Sequence, residues 1–176
     1  MKVICNILIL CSIILFSCQT AIAQPLPNPK VSTKYTNTEV DKLIEGYRMQ
    51  KSRDIRPTQV LSNRLKADFP SARDIEWEEA AGIYKVEFEI GSKDYDAYYD
   101  AEANLLMYIV EIRERELPAI VKNAFITKYP DYKVDRDAKK IYKGTDTYYV
   151  VELEKGRTEV KITISKDGTI MREKNY

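Results

Sequence analysis

The chain has 176 residues, with 28 basic against 27 acidic side chains, no histidine, and three cysteines at Cys5, Cys11 and Cys18. That length holds one or two domains, and the charge balance excludes the basic excess of a nucleic-acid binder. The missing histidine removes the commonest general base and transition-metal ligand, and beyond Cys18 there is no thiol, disulfide or cysteine cluster to use.

Val3–Phe16 is an apolar run of signal-peptide length, preceded by Lys2 and followed by small residues at Ala21-Ile22-Ala23. Cleavage after Ala23 starts the mature chain at Gln24 and predicts a periplasmic or secreted protein. Leu15-Phe16-Ser17-Cys18 also fits a lipoprotein box, and cleavage there leaves a membrane-anchored lipoprotein with lipidated Cys18. Lys2 is the only charge removed by either cut, so the mature chain has 27 basic and 27 acidic residues.

Residues 24–56 read as an N-terminal linker and a short helix. Gln24 to Thr36 is proline-rich and polar. Asn37 or Thr38 can cap the helix, and Val40, Leu43, Ile44 and Tyr47 then form one apolar stripe.

Beyond it the chain repeats itself, giving units over 57–116 and 117–176. "VLSNRLKADFP" at 60–70 aligns with "IVKNAFITKYP" at 120–130. Leu61, Leu65 and Phe69, like Val121, Phe125 and Tyr129, are spaced four apart on a helical face. Pro57 and Pro118 suit the first turn, and Pro70 and Pro130 stop the helices. Ile83–Leu106 then aligns without gaps to Tyr148–Met171, 65 positions on. Each copy predicts a helix and four strands: near 75–79, 83–90, 93–100 and 105–113, then 132–142, 147–155, 157–165 and 170–174. Gly91-Ser92 and Gly156-Arg157 suit tight hairpins.

Alternation assigns the faces. Tyr84, Val86, Phe88 and Ile90 point inward with Tyr95, Ala97 and Tyr99; their counterparts Val160, Ile162 and Ile164 are aliphatic. Trp77 is expected in the core with Ile75, leaving Glu76 and Glu78 in solvent. The opposite face carries Lys85, Glu87, Glu89, Asp94, Asp96 and Tyr98, and in the second copy Glu152, Glu154, Glu159 and Lys161. Tyr98, Tyr142 and Tyr148 are the tyrosines expected to face outward. Asp100, Glu102 and Asp167 fall in turns after these strands. Carboxylates two apart on a strand stand about 7 Å from each other, too spread for a tight cation cage without further ligands.

These residues resemble the PepSY-like, beta-lactamase-inhibitor-like domain family of exported bacterial proteins. The likeness rests on Phe69-Pro70 closing a helix, Trp77 in an aromatic-Glu strand, Tyr84-x-Val86-x-Phe88, and Tyr95-x-Ala97-Tyr98-Tyr99-Asp100 before a polar turn and Leu105-Leu106. The second copy keeps Tyr129-Pro130, Tyr149-x-Val151-x-Leu153, Gly156 and Asp167-Gly168. The resemblance implies an α+β fold of tandem helix-plus-four-stranded antiparallel sheet units that can share one continuous sheet. It implies no enzyme and no cofactor, but an exported module gripping a protein or peptide through its polar sheet face and loops. The alternative is a divalent-cation or small-ligand sensor at Asp100, Glu102 and Asp167. Two departures stand out: Glu102-Ala103 replaces the family's acidic-glycine turn, so Asn104 is expected in the left-handed position, and Asp137 falls near where Trp77 stands.

Overall fold

The computed structural model describes residues 28–176, so Cys18, the Ala23–Gln24 junction and the leader lie outside the described residues. In chain order the elements are α1 (Asn37–Arg48), β1 (Arg53–Asp54), α2 (Gln59–Asp68), β2 (Arg73–Ala80), β3 (Ile83–Ile90), β4 (Lys93–Tyr99), β5 (Leu105–Ile112), α3 (Ala119–Lys128), β6 (Lys133–Val134), β7 (Ala138–Lys143), β8 (Asp146–Lys155), β9 (Thr158–Ser165) and β10 (Ile170–Asn175). A 3-10 turn at Glu114–Glu116 leads into α3.

The strands form one open, wholly antiparallel sheet in the order β1-β2-β3-β4-β5-β7-β8-β9-β10, with β6 pairing onto β8. The two units therefore share a single sheet, joined at a seam where Met107 to Ile112 of β5 pair with Lys143 to Ala138 of β7. Hairpin geometry follows the glycines: Gly91 and Gly156 have φ of 66° and 64°, a conformation that costs a residue without Cβ little.

The stripes on α2 and α3 cover one sheet face. Leu61, Leu65, Phe69, Val121 and Phe125 pack with Val86, Phe88, Tyr95, Ala97, Tyr99, Val151, Leu153 and Ile162 in the larger core. Phe69 has rings of Phe88 and Tyr108 at 4.7 and 5.5 Å. Thr58 is the N-cap of α2, its hydroxyl accepting from the Leu61 N–H, and Pro118 is the N-cap of α3, so Pro57 and Pro118 lie just before the first turns in which they were expected. Trp77 is buried as expected, but Ile75 is 45% exposed. Asp74 sits at φ 50° and a bulge interrupts the register between Arg73 and Glu76, so the alternation restarts there.

The predicted 132–142 strand is two strands, β6 and β7, broken at Asp135-Arg136-Asp137. Registers explain the growing repeat offset. Lys133 pairs with Glu154 as Arg73 does with Glu89, while Ile141 pairs with Tyr148 as Ala80 does with Ile83. One extra residue thus enters the break, and the rest lengthen the β7–β8 hairpin. By that count Ala138, fully buried, stands at the Trp77 position, and Asp137 does not.

Helix α1 packs on the opposite face. Thr36 caps it in a capping box with Glu39, where Asn37 or Thr38 was expected. Val40, Ile44 and Tyr47 pack on Ala80, Ile83, Tyr98, Leu106, Met107 and Ile109, a second, smaller core. Each such side chain contributes about 1.5–3 kcal/mol when fully buried. Residues 28–36, expected as a linker, form a packed strap that delivers α1 to this face: Val31 is buried in the larger core, Ser32 N–H donates to the Leu105 carbonyl at 2.8 Å, and Tyr35 reaches Asp100.

α1 also spans the seam. Asn37 Nδ2 donates to Asp146 in the β7–β8 hairpin at 2.6 Å, and Tyr47 donates to Glu78 on β2 at 2.8 Å. Gly144 lies under the helix start at φ 57°, where a Cβ would stand 2.5 Å from Asn37 Oδ1. Gly144→Ala is therefore expected to cost about 1–2 kcal/mol, read as a lower urea midpoint, with faster amide exchange over the first turn of α1.

Candidate binding face

The half of the α1-side face that α1 leaves open holds a depression of about 460 Å3. Strands β3 and β4 supply its floor because the side chains that alternate with the buried Val86, Phe88, Tyr95 and Ala97 point away from α2. Lys85, Glu87, Glu89, Asp94 and Asp96 converge there, joined by Glu76 from β2, Ile109 and Glu111 from β5, and Lys139 from β7. Glu76, Glu111 and Lys139 were not singled out by the repeat alignment; their signal was strand parity, once β2, β5 and β7 are known to lie beside β3 and β4.

Register sharpens the electrostatics. Glu76 lies directly opposite Glu87, and Glu87 opposite Asp96; one step along, Glu89 faces Asp94. Like charges directly opposite on a sheet are destabilising. Lys85 relieves the first group, pairing with Glu87 and lying 3.4 Å from Asp96 Oδ1. Burial pulls the lysine pKa down, but Glu87 and Asp96 more than reverse that, so it is raised and the ammonium stays charged. Burial also pushes the Asp96 carboxyl above its ordinary value, with Lys85 only partly offsetting it.

The second unit answers differently at the equivalent positions. Where Glu87 faces Asp96, Glu152 faces Lys161, and they form a 2.7 Å ion pair that Arg136 extends at 3.0 Å. Glu154 and Glu159 stay opposite each other, both exposed. The ten expected face positions thus form two groups, one per unit, with one exception.

Tyr98 is not on the open surface. It is 5% exposed, under α1, with its ring edge-on to Tyr47 at 5.7 Å. The parity was right, but α1 covers that end of the face. Tyr142 likewise turns toward the larger core, stacked on Tyr108 at 4.3 Å. Tyr148 is half-buried and donates to Asp146 at 3.2 Å.

The acidic turn is a structural unit. Asp100, 6% exposed, accepts from Tyr35 Oη, Glu102 N–H, Asn104 N–H and Asn104 Nδ2 at 2.8–3.0 Å. Burial raises its pKa, but these bonds outweigh it and the carboxyl ends below its ordinary value. Ser165 does the same work in the second unit, accepting from Thr169 N–H at 3.1 Å and donating to Asp167. The left-handed residues are Ala103 at φ 59° and Gly168 at φ 87°, not Asn104, whose side chain is held by Asp100. Among the described residues no group of three or more histidine, cysteine, aspartate or glutamate side chains is placed to hold a metal ion, so Asp100, Glu102 and Asp167 do not converge.

No protein-family profile matches the chain, and no curated protein does. Solved structures do. A BLIP-like protein from Bacteroides fragilis aligns at 29% identity and TM-score 0.61, covering 69% of this chain and 87% of its own. The fold is BLIP-like. A DUF2874 family protein from Bacteroides uniformis aligns at 22% identity and TM-score 0.63, covering 68% of this chain and 90% of its own. A candidate periplasmic protein from Bacteroides eggerthii gives 20% identity and TM-score 0.63, covering 69% and 90%. The broader resemblance stands at the level of this fold; the narrower PepSY-like assignment has no match behind it.

Proposed function

We propose that this is an exported, non-enzymatic binding or inhibitory module that recognises a protein or peptide through the open, polar half of its sheet and the adjoining loops. Similarity to a BLIP-like protein supports the class, and similarity to a candidate periplasmic protein supports residence in the envelope, free or anchored through Cys18. The observation that carries the reading is the carboxylate row Glu76–Glu87–Asp96 on an uncovered, concave surface. A folding-only sequence gains nothing by opposing three like charges, whereas a surface awaiting a partner does.

Two measurements test this. At pH 7, Asp96→Asn is expected to leave stability unchanged or raise it by up to about 1 kcal/mol, because it removes a desolvated carboxylate beside Glu87. The sign follows from the raised pKa: the wild-type penalty is present above that value and disappears as pH falls through it, so the variant's advantage should shrink in acid. Secondly, immobilised protein should enrich a specific partner from an exported fraction, and Glu87→Gln with Asp96→Asn should weaken that capture. Capture indifferent to both changes would remove the face from the account.

A further inference from the structure

We infer that the partner of this face is an extended segment presenting lysine or arginine side chains two residues apart to the β3–β4 hairpin. The inference rests on the binding reading above and narrows it to a partner chemistry.

The hairpin carries two carboxylate pairs in direct cross-strand register, Glu87 with Asp96 and Glu89 with Asp94. Side chains so placed stand about 5 Å apart at Cβ, close enough for one cation to bridge both carboxylates. The first pair has such a cation already: the Lys85 ammonium lies between Glu87 and Asp96. The second pair is exposed and forms no ion pair among the described residues. The cations flanking it are committed elsewhere. Arg73, across from Glu89 on β2, donates Nη2 to the Gly91 carbonyl at 3.2 Å, and Lys93 bonds to Glu116. Lys85 therefore displays, within the chain, the chemistry that the Glu89–Asp94 pair lacks.

Spacing selects an extended occupant. The two pairs are two residues apart along the strands, about 7 Å, which is also the distance between alternate side chains of an extended peptide. A segment laid along the hairpin sets one cation at Glu89–Asp94 and the next beside Glu87 and Glu76. Glu76 likewise forms no ion pair among the described residues. In the second unit only the first of the two pairs differs: Glu152 faces Lys161 and is paired with it at 2.7 Å, while Glu154 and Glu159 stay opposed and exposed as Glu89 and Asp94 do. The row of two adjacent carboxylate pairs is thus found in the first unit, and a single such pair in the second.

The test titrates the full chain with a labelled peptide of alternating lysine and threonine at low ionic strength, with alternating glutamate and threonine as control. Binding of the lysine peptide alone is expected, lost near ~0.5 M salt and weakened about fivefold by Glu89→Gln with Asp94→Asn. Thermal melts of the double variant should match or slightly exceed wild type, since both side chains are exposed and oppose each other across the strands. Equal binding of the glutamate peptide, no effect of the double variant, or full displacement by millimolar calcium would each overturn the inference. The two readings fail separately. Partner capture that needs Glu87 and Asp96 yet persists at high salt sinks the cationic segment and leaves the module standing. Capture insensitive to the whole face sinks both.

Discussion

Phe69→Ala is expected to lower the unfolding free energy by about 4 kcal/mol, while Tyr129→Ala at the matching position of the second unit costs about 1–1.5 kcal/mol. Alignment alone makes the two residues equal, since each ends its helix before a proline. Packing does not. Phe69 is 1% exposed and sits among Phe88, Tyr95 and Tyr108, so truncation leaves a cavity that the sheet cannot close. Tyr129 is only partly buried; its hydroxyl reaches Glu173 at 3.0 Å and Lys128 shares the same carboxylate. Urea unfolding followed by fluorescence of Trp77, the single tryptophan, reads both variants. Equal losses would mean that the two units have equivalent cores, contrary to the packing.

Asp100→Ala is expected to cost about 3 kcal/mol at pH 7, the range for removing a buried, several-fold hydrogen-bonded carboxylate. Four donors lose their acceptor at once, and the strap loses the Tyr35 anchor that aims it at α1. Asp100→Ser should recover part of the loss, because Ser165 holds the corresponding turn of the second unit through a hydroxyl. The pH dependence has a definite sign. The folded carboxyl titrates below the ordinary aspartate value of 3.8, so its stabilisation is complete above that value and is lost as pH falls through the lower folded one. Wild type and Asp100→Ala should therefore converge in strong acid. A gap that persists undiminished there would assign the loss to packing.

Much of the sheet was legible because its signals are local. Period-two alternation in Tyr84–Ile90 and its copy fixed the inward faces, and glycines at 91 and 156 fixed the hairpins. The covering of Tyr98 was not read from its own strand, since parity says which face a side chain takes but not what lies on it. A signal did exist in β5. Leu105, Leu106, Met107, Tyr108, Ile109 and Val110 are six consecutive buried apolar residues, a pattern that demands cover on both sides of a strand. Joined to the stripe on α1, it names the helix that supplies the second cover. The Arg73–Glu76 bulge and the break at Asp135–Asp137 resisted reading because each is a matter of one residue in the register. Left-handed Ala103 contradicts residue preference, and only the Asp100–Asn104 bonding around it explains why the alanine, not the asparagine, takes that conformation. The candidate face was half legible: β3 and β4 showed its charges, while Glu76, Glu111 and Lys139 joined only when strand order became known.

The seam between β5 and β7 bears on how a doubled chain avoids sticking to itself. Two separate units of this kind would offer four raw sheet borders to any passing backbone; pairing one border of each against the other hides half of them. What remains among the described residues is β2, charged at Arg73, Asp74 and Glu76 and covered by the two-residue β1 only at Glu78 and Glu79, and β10, whose Arg172, Glu173 and Lys174 alternate in sign, and short or charged borders of this kind recruit foreign strands poorly. Duplication here reads as a remedy for fibril formation as much as a doubling of surface.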